Sequence, residues 1–311
     1  MPLVRSYQDI PQPRAQTDLA GGHFAWRTDF LKAPAVRAED SPVAFLAEGS
    51  AGRVLDTHFH QVDQFQVVYV GDGILGGHAL KFGGVHFNRA YTPYGPIHYG
   101  EKGLGFLTLR AHRDDGRAWY IREHRETLEK VPNRTPWQVT VMPDFSIQPG
   151  PSGVAIKAIE SLEDDRGLAG YSMVLKPGVK AFAPDPSRGE GQYVLVLKGG
   201  IEHEGQLKQG LSVIWVAKDE PPCPLQAGPE GCEVLVLNFP IPGGGVPPAK
   251  KPASSDELKS YQCVLCAFIY DEAAGMPDHG IAPGTRWADV PENFGCPDCD
   301  AKKADFEMLE F

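Results

Sequence analysis

Two pairs of cysteines near the C-terminus constrain this chain more than any other feature. The pairs read Cys263-Val-Leu-Cys266 and Cys296-Pro-Asp-Cys299, with 29 residues between them. The short spacing within a pair lets both sulfur atoms face one ion, and two pairs together can enclose a metal with four thiolates. Four thiolates suit either zinc or iron, so the sequence around the pairs must decide between these metals.

Aromatic side chains surround the two cysteine pairs, at Tyr261, Tyr270, Trp287 and Phe306. A zinc ribbon needs the cysteines but not these aromatic residues. Together they make residues 261–309 resemble rubredoxin, the one-iron electron carrier. The resemblance implies a small domain in which the four cysteines bind iron, and a zinc ribbon is the alternative.

The length and composition indicate a β-rich protein of two or three domains. The chain has 311 residues, with 35 glycines and 28 prolines, which is typical of turn-rich β structure. Its net charge of −10 argues against nucleic acid or an anionic membrane as a partner. Residues 261–311 carry ten acidic and three basic side chains. This acidic surface either steers a basic reductase to the domain or simply keeps the domain solvated.

We expect neither a signal peptide nor a membrane span in this sequence. The first residues lack the apolar core of a signal peptide, and no apolar run approaches the ~18 residues of a membrane helix. We therefore expect a cytoplasmic protein. Two further cysteines, Cys223 and Cys232, could form a disulfide, but a reducing cytosol favours two buried free thiols.

The first 240 residues contain an internal repeat. Three pairs of residues are separated by the same 128 positions: Gln64 and Gln192, Gly71 and Gly199, Pro93 and Pro221. Runs of β-forming residues bounded by glycine occur in both copies, which predicts two copies of one β unit. A single helix is predicted from Asp115 to Lys130, where Pro132 would end it.

Three histidines of the first copy follow a metal-binding pattern. The sequence reads Gly52-x5-His58-x-His60-x3-Gln64-x6-Gly71 and then Pro93-x-Gly95-x-x-His98. Residues two apart on a strand point to one face, so His58 and His60 would project together. Three imidazoles suit iron, zinc, copper or nickel.

These two segments resemble the two motifs of the cupin family, a jelly-roll barrel, with Gln64 where the family usually has Glu. The resemblance implies a metal inside the barrel, bound by His58, His60 and His98. Gln64 would then be a weak fourth ligand or would hydrogen-bond the substrate. Three tyrosines flank His98 and would line a pocket for an aromatic substrate or pack in the core: Tyr91, Tyr94 and Tyr99.

The second copy lacks the metal-binding pattern. Its residues at the three histidine positions are Pro186, Arg188 and Gln226, which cannot form an imidazole site. We therefore predict a degenerate, metal-free barrel. The remaining histidines have no comparable setting and are expected to be structural or exposed: His78, His86, His112, His124, His203 and His279.

The predicted fold is mainly β, with two cupin (jelly-roll) barrels in tandem and a small rubredoxin-like iron domain. The predicted boundaries are an N-terminal arm at 1–35, a metal-binding barrel with a C-terminal helix at 36–130, a metal-free barrel at 131–241, a linker at 242–258 and the rubredoxin-like domain at 259–311. Three glycines and four prolines in the linker predict a flexible tether that lets the small domain move.

This organisation predicts a non-haem Fe(II)-dependent oxygenase. The cupin iron, or another divalent metal at the same site, would bind a small chelating substrate, such as an aromatic hydroxy acid or a thiol, together with O2. The rubredoxin-like domain would pass electrons from a rubredoxin- or ferredoxin-type reductase. Two alternatives remain open: a redox-responsive sensor that binds a ligand without turnover, and a cupin isomerase or hydrolase with a zinc ribbon. The sequence also leaves open whether the protein forms a homodimer.

The cysteine pairs generate a first prediction. Protein purified from iron-replete cells should be red, with thiolate-to-iron charge-transfer bands that bleach on reduction, and Cys296→Ser should weaken or abolish these bands. Visible spectroscopy and metal analysis check this. A colourless protein with one tightly bound zinc per chain would contradict the assignment.

Overall fold

The computed structural model describes residues 3–10, 15–31, 41–114, 117–243, 258–263, 268–297 and 301–309. In chain order, the elements of the first half are β1 (Leu3–Ser6), β2 (Ala15–Asp18), β3 (Phe24–Leu31), β4 (Val43–Gly49), β5 (Val54–Leu55), β6 (His58–Phe59), β7 (Gln64–Leu75), β8 (His78–Leu80), β9 (Val85–Asn88), β10 (Ile97–Arg110), β11 (Trp119–Tyr120), α1 (Ile121–Glu129) and β12 (Gln138–Val141).

The second half is built in the same way. Its strands are β13 (Val154–Glu163), β14 (Ala169–Leu175), β15 (Lys180–Phe182), β16 (Gln192–His203), β17 (Gln206–Gln209), β18 (Ser212–Val216) and β19 (Pro224–Asn238). The C-terminal strands are β20 (Ser260–Cys263), β21 (Ile269–Asp271) and β22 (Phe306–Leu309). Short 3-10 turns lie at Tyr7–Asp9, Ala20–Gly22, Pro186–Arg188, Pro277–His279, Trp287–Asp289 and Lys303–Asp305.

The strands form two large antiparallel sheets, which we call the first and second β-units, and a small C-terminal sheet. The first β-unit has the order β12-β9-β7-β10-β4-β3-β2, and the second has the order β1-β18-β16-β19-β14-β13. Each unit receives one strand from the segment that precedes the other unit, because β1 pairs with β18 and β12 pairs with β9. The predicted N-terminal arm therefore contributes strands to both units.

The structure confirms the internal repeat. Strands β7 and β16 begin at Gln64 and Gln192, which are the first pair of repeat markers. The second markers, Gly71 and Gly199, have φ of +68° and +69°. A Cβ at either glycine would lie 2.0 or 2.1 Å from a carbonyl oxygen of the facing strand, so both positions require glycine. The chain is thus a tandem of one β fold followed by a small domain.

A shared hydrophobic core joins the two β-units. Side chains alternate along β7 and β10, so one face of the first sheet packs against the second unit. The buried residues at this interface include Phe65, Val67, Leu107, Leu109, Tyr193, Leu195, Leu235 and Leu237. The Tyr193 hydroxyl crosses the interface and lies 3.0 Å from the carbonyl oxygens of Val43 and Arg110.

The helix is shorter than predicted. It spans Ile121–Glu129, whereas the sequence indicated Asp115 to Lys130. Its start is delayed because Trp119 and Tyr120 are extended and pair with Phe59 and His58. No helix in the described ranges is long and apolar enough to cross a membrane.

The rubredoxin-like domain packs against the first β-unit. Phe59 and Ile121 of that unit share one buried cluster with Cys263, Tyr270 and other core residues of the small domain. The Gln138 amide also donates to Gln262 Oε1 at 2.6 Å. Of the predicted linker, residues 244–257 lie outside the described residues. The structure therefore shows a docked domain where the linker composition had predicted a moving one.

The Tyr193 contacts generate a second prediction. Tyr193→Phe should lower the free energy of unfolding by about 1–2 kcal/mol, because it leaves two buried carbonyl groups without this donor. Urea denaturation followed by circular dichroism measures the change. Tyr171→Phe is the matched control, because Tyr171 is half-buried and makes no side-chain hydrogen bond within the described residues. Equal losses in both variants would contradict the bridging role of Tyr193.

Candidate functional sites

Strand β6 and the residue that follows it place two histidines inside the first β-unit. His58 and His60 are 2% and 6% exposed, and Phe59 between them points the opposite way, into the cluster shared with the small domain. The strand is held on both sides, since His58 exchanges backbone hydrogen bonds with Tyr94 and pairs with Tyr120. The alternation of side chains thus separates a polar interior from an apolar docking face.

Both imidazoles are fixed in orientation by their Nδ1 atoms. His58 Nδ1 donates to the Asp56 carbonyl oxygen at 2.8 Å, and His60 Nδ1 donates to the Asp114 carboxylate at 3.2 Å. Burial lowers the pKa of both histidines, that of His58 to about 3, so both are neutral at pH 7. The His58 ring therefore presents its Nε2 lone pair to the Tyr94 hydroxyl, and both rings are oriented through Nδ1 in the way that carboxylates and carbonyls orient metal-binding histidines.

The Tyr94 hydroxyl lies directly at this site. It donates to His58 Nε2 at 2.9 Å and accepts a hydrogen bond from the Gln64 amide nitrogen at 2.6 Å. Its ring lies 4.4 Å from the His58 ring, centroid to centroid. Burial raises the pKa of Tyr94, so the hydroxyl keeps its proton. Of the two roles predicted for this tyrosine, a pocket-lining residue or a core residue, the structure gives it a polar contact with the histidines.

A buried polar network fixes Gln64 and His60 together. The Gln64 amide oxygen accepts from Arg110 Nη2 at 3.0 Å and from Arg110 Nε at 3.2 Å. Arg110 Nη1 donates to Asp114, which also accepts from His60. Because Arg110 occupies the Gln64 amide oxygen, Gln64 contacts the Tyr94 hydroxyl through its amide nitrogen. Of the two predicted roles of Gln64, this geometry favours hydrogen bonding over metal ligation.

The structure does not bring His98 to the other two histidines. On β10, Ile97 and Tyr99 are 0% and 5% exposed and face inward, so the alternation of the strand turns His98 out to solvent. The predicted three-histidine set is therefore not assembled. Among the described residues, no group of three or more His, Cys, Asp or Glu side chains is arranged to hold a metal ion.

Sequence reasoning expected His86 to be structural or exposed, and the structure buries it beside Tyr94. This residue is 2% exposed, lies opposite Gln66 in the β7–β9 pairing, and its ring is 5.2 Å from the Tyr94 ring. Its Nδ1 contacts the Thr140 hydroxyl at 2.9 Å, whereas its Nε2 is buried without a hydrogen-bond partner within the described ranges. Only the strand register, which the motif does not encode, could have shown this.

The interior of the second β-unit is mainly apolar, with Gln192 and Asn238 among its buried polar residues. Its buried residues include Val194, Val196, Ile214, Val234 and Val236. Cys223 and Cys232 lie in the same cluster as free thiols, as predicted. Burial raises the pKa of the Cys223 thiol to about 12 and that of Cys232 to about 11, so neither is a ready nucleophile.

The small domain repeats one backbone hydrogen bond at the first cysteine of each pair. Cys263 and Cys296 are 1% and 3% exposed, and the amide of each donates at 2.8 Å to the carbonyl five residues later, in Phe268 and Ala301. The partner cysteines, Cys266 and Cys299, lie outside the described residues. Two buried cysteines with equivalent backbone hydrogen bonds fit a four-cysteine metal site.

Comparison with known proteins identifies this domain. The rubredoxin family model matches residues 260–306. Rubredoxin of Acinetobacter baylyi is 58% identical over 53 residues, which make up 17% of this chain and 98% of that protein. Through its C-terminal domain, the chain belongs to the rubredoxin family. A rubredoxin domain implies iron bound by cysteine and a role in electron transfer.

The β-units are similar to two groups of solved structures. A bacterial pirin from Escherichia coli in complex with nickel(II) is 16% identical, with a TM-score of 0.49, covering 78% of this chain and 100% of that chain. Oxalate decarboxylase of Bacillus subtilis, a protein with Mn(II) centres, is 13% identical, with a TM-score of 0.46 and 79% of both chains covered. The tandem organisation described above rests on the repeat within this chain.

The docked position of the rubredoxin domain generates a third prediction. Ile269 Cδ1 packs so close to Gly76 of the first β-unit that a Cβ on Gly76 would lie 3.0 Å from it. Ile269→Asp should release the domain, because burying a carboxylate in this contact is costly. Small-angle X-ray scattering should show a larger radius of gyration with unchanged visible bands. Ile156→Asp, at a half-exposed position of the second unit, is the matched control. Identical scattering from both variants would contradict the docking.

Proposed function

We propose that the protein is an Fe(II)-dependent oxygenase whose docked rubredoxin domain supplies electrons to a site inside the first β-unit. The observation that supports this proposal most directly is that neighbouring side chains at strand β6 face two different sites. Phe59 lies in the core of the rubredoxin domain, while His58 and His60, its chain neighbours, face the interior site. The same short segment therefore contacts both redox centres.

Aromatic packing supports a short route for electrons. The Phe59 ring lies 6.0 Å from the Trp119 ring and 6.1 Å from the Tyr91 ring, centroid to centroid. Phe59 also belongs to the cluster that contains Cys263 and Cys296. Electron tunnelling weakens steeply with distance, so a continuous packed path favours transfer from the four-cysteine iron to the interior. That iron has no open position when four thiolates hold it, and it therefore serves as a relay.

We propose that His58, His60 and the Tyr94 oxygen hold a divalent metal, with iron favoured. Two neutral imidazoles fixed through their Nδ1 atoms and one oxygen donor form a nitrogen and oxygen ligand set that suits a first-row divalent metal such as iron. A ferrous ion there would supply positions for O2 and for a small chelating substrate. Asp114 would keep His60 in its tautomer, and the Gln64 amide would orient the Tyr94 hydroxyl. His98 has no part in this proposal.

The external partner in this proposal is a rubredoxin- or ferredoxin-type reductase. The ten acidic side chains of residues 261–311 would attract a basic surface. The rubredoxin family match supports iron rather than zinc at the four cysteines, which favours the oxygenase over an isomerase or hydrolase with a zinc ribbon. The sensor alternative differs from the oxygenase in one respect, since a sensor would bind its ligand without passing electrons onward.

Metal content gives the fourth prediction. Iron-loaded protein should contain two metals per chain, and His60→Ala and Tyr94→Phe should each remove or weaken the one outside the cysteine site, because few ligands remain. His98→Ala should leave the metal content unchanged, because His98 is exposed on the outer face. Elemental analysis after gel filtration measures these values. If His98→Ala loses metal as His60→Ala does, the ligand assignment is wrong.

Electron delivery gives the fifth prediction. The protein is reduced with dithionite without oxygen and mixed with air-saturated buffer, and the return of the charge-transfer bands is followed by stopped flow. Reoxidation should be slower in Ile269→Asp and in His60→Ala than in the wild type, and unchanged in Ile156→Asp. Equal rates in all four proteins would favour the sensor alternative, because the rubredoxin iron would then be oxidised without the interior site.

A further inference from the structure

A cavity lies where the first β-unit meets the rubredoxin domain. It has a volume of about 860 Å³ and is bounded by the residues around β5 and β6, the start of α1 and the N-terminal segment around Leu19. Pro297 of the rubredoxin domain forms part of its wall. Because Pro297 lies between Cys296 and Cys299, the cavity reaches the loop that holds the iron.

The cavity is rich in arginine although the chain as a whole is acidic. Arg53, Arg122 and Arg125 line it, against two carboxylates, those of Asp56 and Glu123. The lining is therefore positive by about one charge in a chain of net charge −10. A positively charged cleft on an acidic protein concentrates anions locally.

Two of the arginines are available for a ligand. Arg125 is paired with Glu129 at 3.0 Å, but neither Arg53 nor Arg122 forms an ion pair with a described residue. The Arg53 guanidinium instead lies over the Tyr99 ring, 5.2 Å from its centroid.

The rest of the cavity wall is apolar. Leu19, Leu55 and Tyr120 contribute to it, together with Ile121. A simple inorganic anion would leave this surface uncovered, whereas an organic acid would cover it with its carbon skeleton. We propose that the cavity binds an organic anion, with its carboxylate at Arg53 and Arg122 and its apolar body against Leu19, Leu55 and Tyr120.

This site lies next to both redox centres without being part of either. Tyr120 lies 5.9 Å from the His58 ring, centroid to centroid, and Asp56 holds His58 Nδ1 through its carbonyl oxygen. On the other side, Pro297 is within the second cysteine pair. Binding should therefore alter the visible bands of the rubredoxin iron as well as release heat. The proposal goes beyond the oxygenase function and does not depend on it.

The test uses the full-length, iron-loaded protein and the probe phenylacetate, with phenylacetamide as the uncharged isostere. Titration calorimetry should show one phenylacetate per chain, binding that weakens as salt is raised, and much weaker binding of the amide. Arg53→Gln and Arg122→Gln should each reduce affinity about tenfold, the value of one charge-assisted hydrogen bond. Arg5→Gln, an exposed position on β1 in the second unit, removes the same charge elsewhere and should have no effect.

Three results would overturn the proposal. Absence of phenylacetate binding at millimolar concentration would mean that the cavity does not recognise organic anions. Equal affinity for phenylacetamide would mean that the arginines do not recognise the negative charge of the carboxylate. Equal loss of affinity in Arg5→Gln and Arg53→Gln would mean a non-specific charge effect. Each of these outcomes leaves the stopped-flow result unaffected, so failure here is distinct from failure of the proposed function.

Discussion

The alternation of side chains along strand β6 is the constraint on which the rest of the structure depends. Because neighbouring residues on a strand face opposite sides, the burial of Phe59 in the rubredoxin core requires His58 and His60 to face inward. The backbone of Tyr94 on one side and of Tyr120 on the other holds the strand in place. Domain docking and the interior site are therefore set by the same three residues.

The two β-units share one fold but bury different kinds of residues in their interiors. In the second unit the interior is mainly valine, leucine and isoleucine, and the buried polar residues at the positions of Gln64 and Arg110 are Gln192 and Asn238, which carry no charge. In the first unit Gln64 and Arg110 lie on the equivalent strands and Asp114 follows β10, and the three satisfy one another by hydrogen bonds and charge. Such a buried network costs desolvation energy, and it is retained where polar groups are needed for binding or chemistry.

Much of this organisation could be predicted from the sequence, because it depends on local patterns. The cysteine spacing and aromatics defined the rubredoxin domain, and the glycines at 71 and 199 marked the repeat through a close backbone approach. His98 was misplaced because a motif does not state which face of a strand a residue takes. Docking could not be predicted, since linker composition indicates flexibility but not the apolar surface around Phe59.

The most direct test of the account is whether the rubredoxin iron lies beside Phe59 in solution. Amide NMR spectra of the iron-loaded protein can be compared with those of the same protein containing zinc at the cysteines. Paramagnetic iron broadens the resonances of nearby nuclei, so the account predicts iron-dependent broadening at Phe59 and Trp119 in addition to the rubredoxin domain. Broadening confined to residues 258–311 would show that the domain does not dock, and would contradict electron delivery through β6.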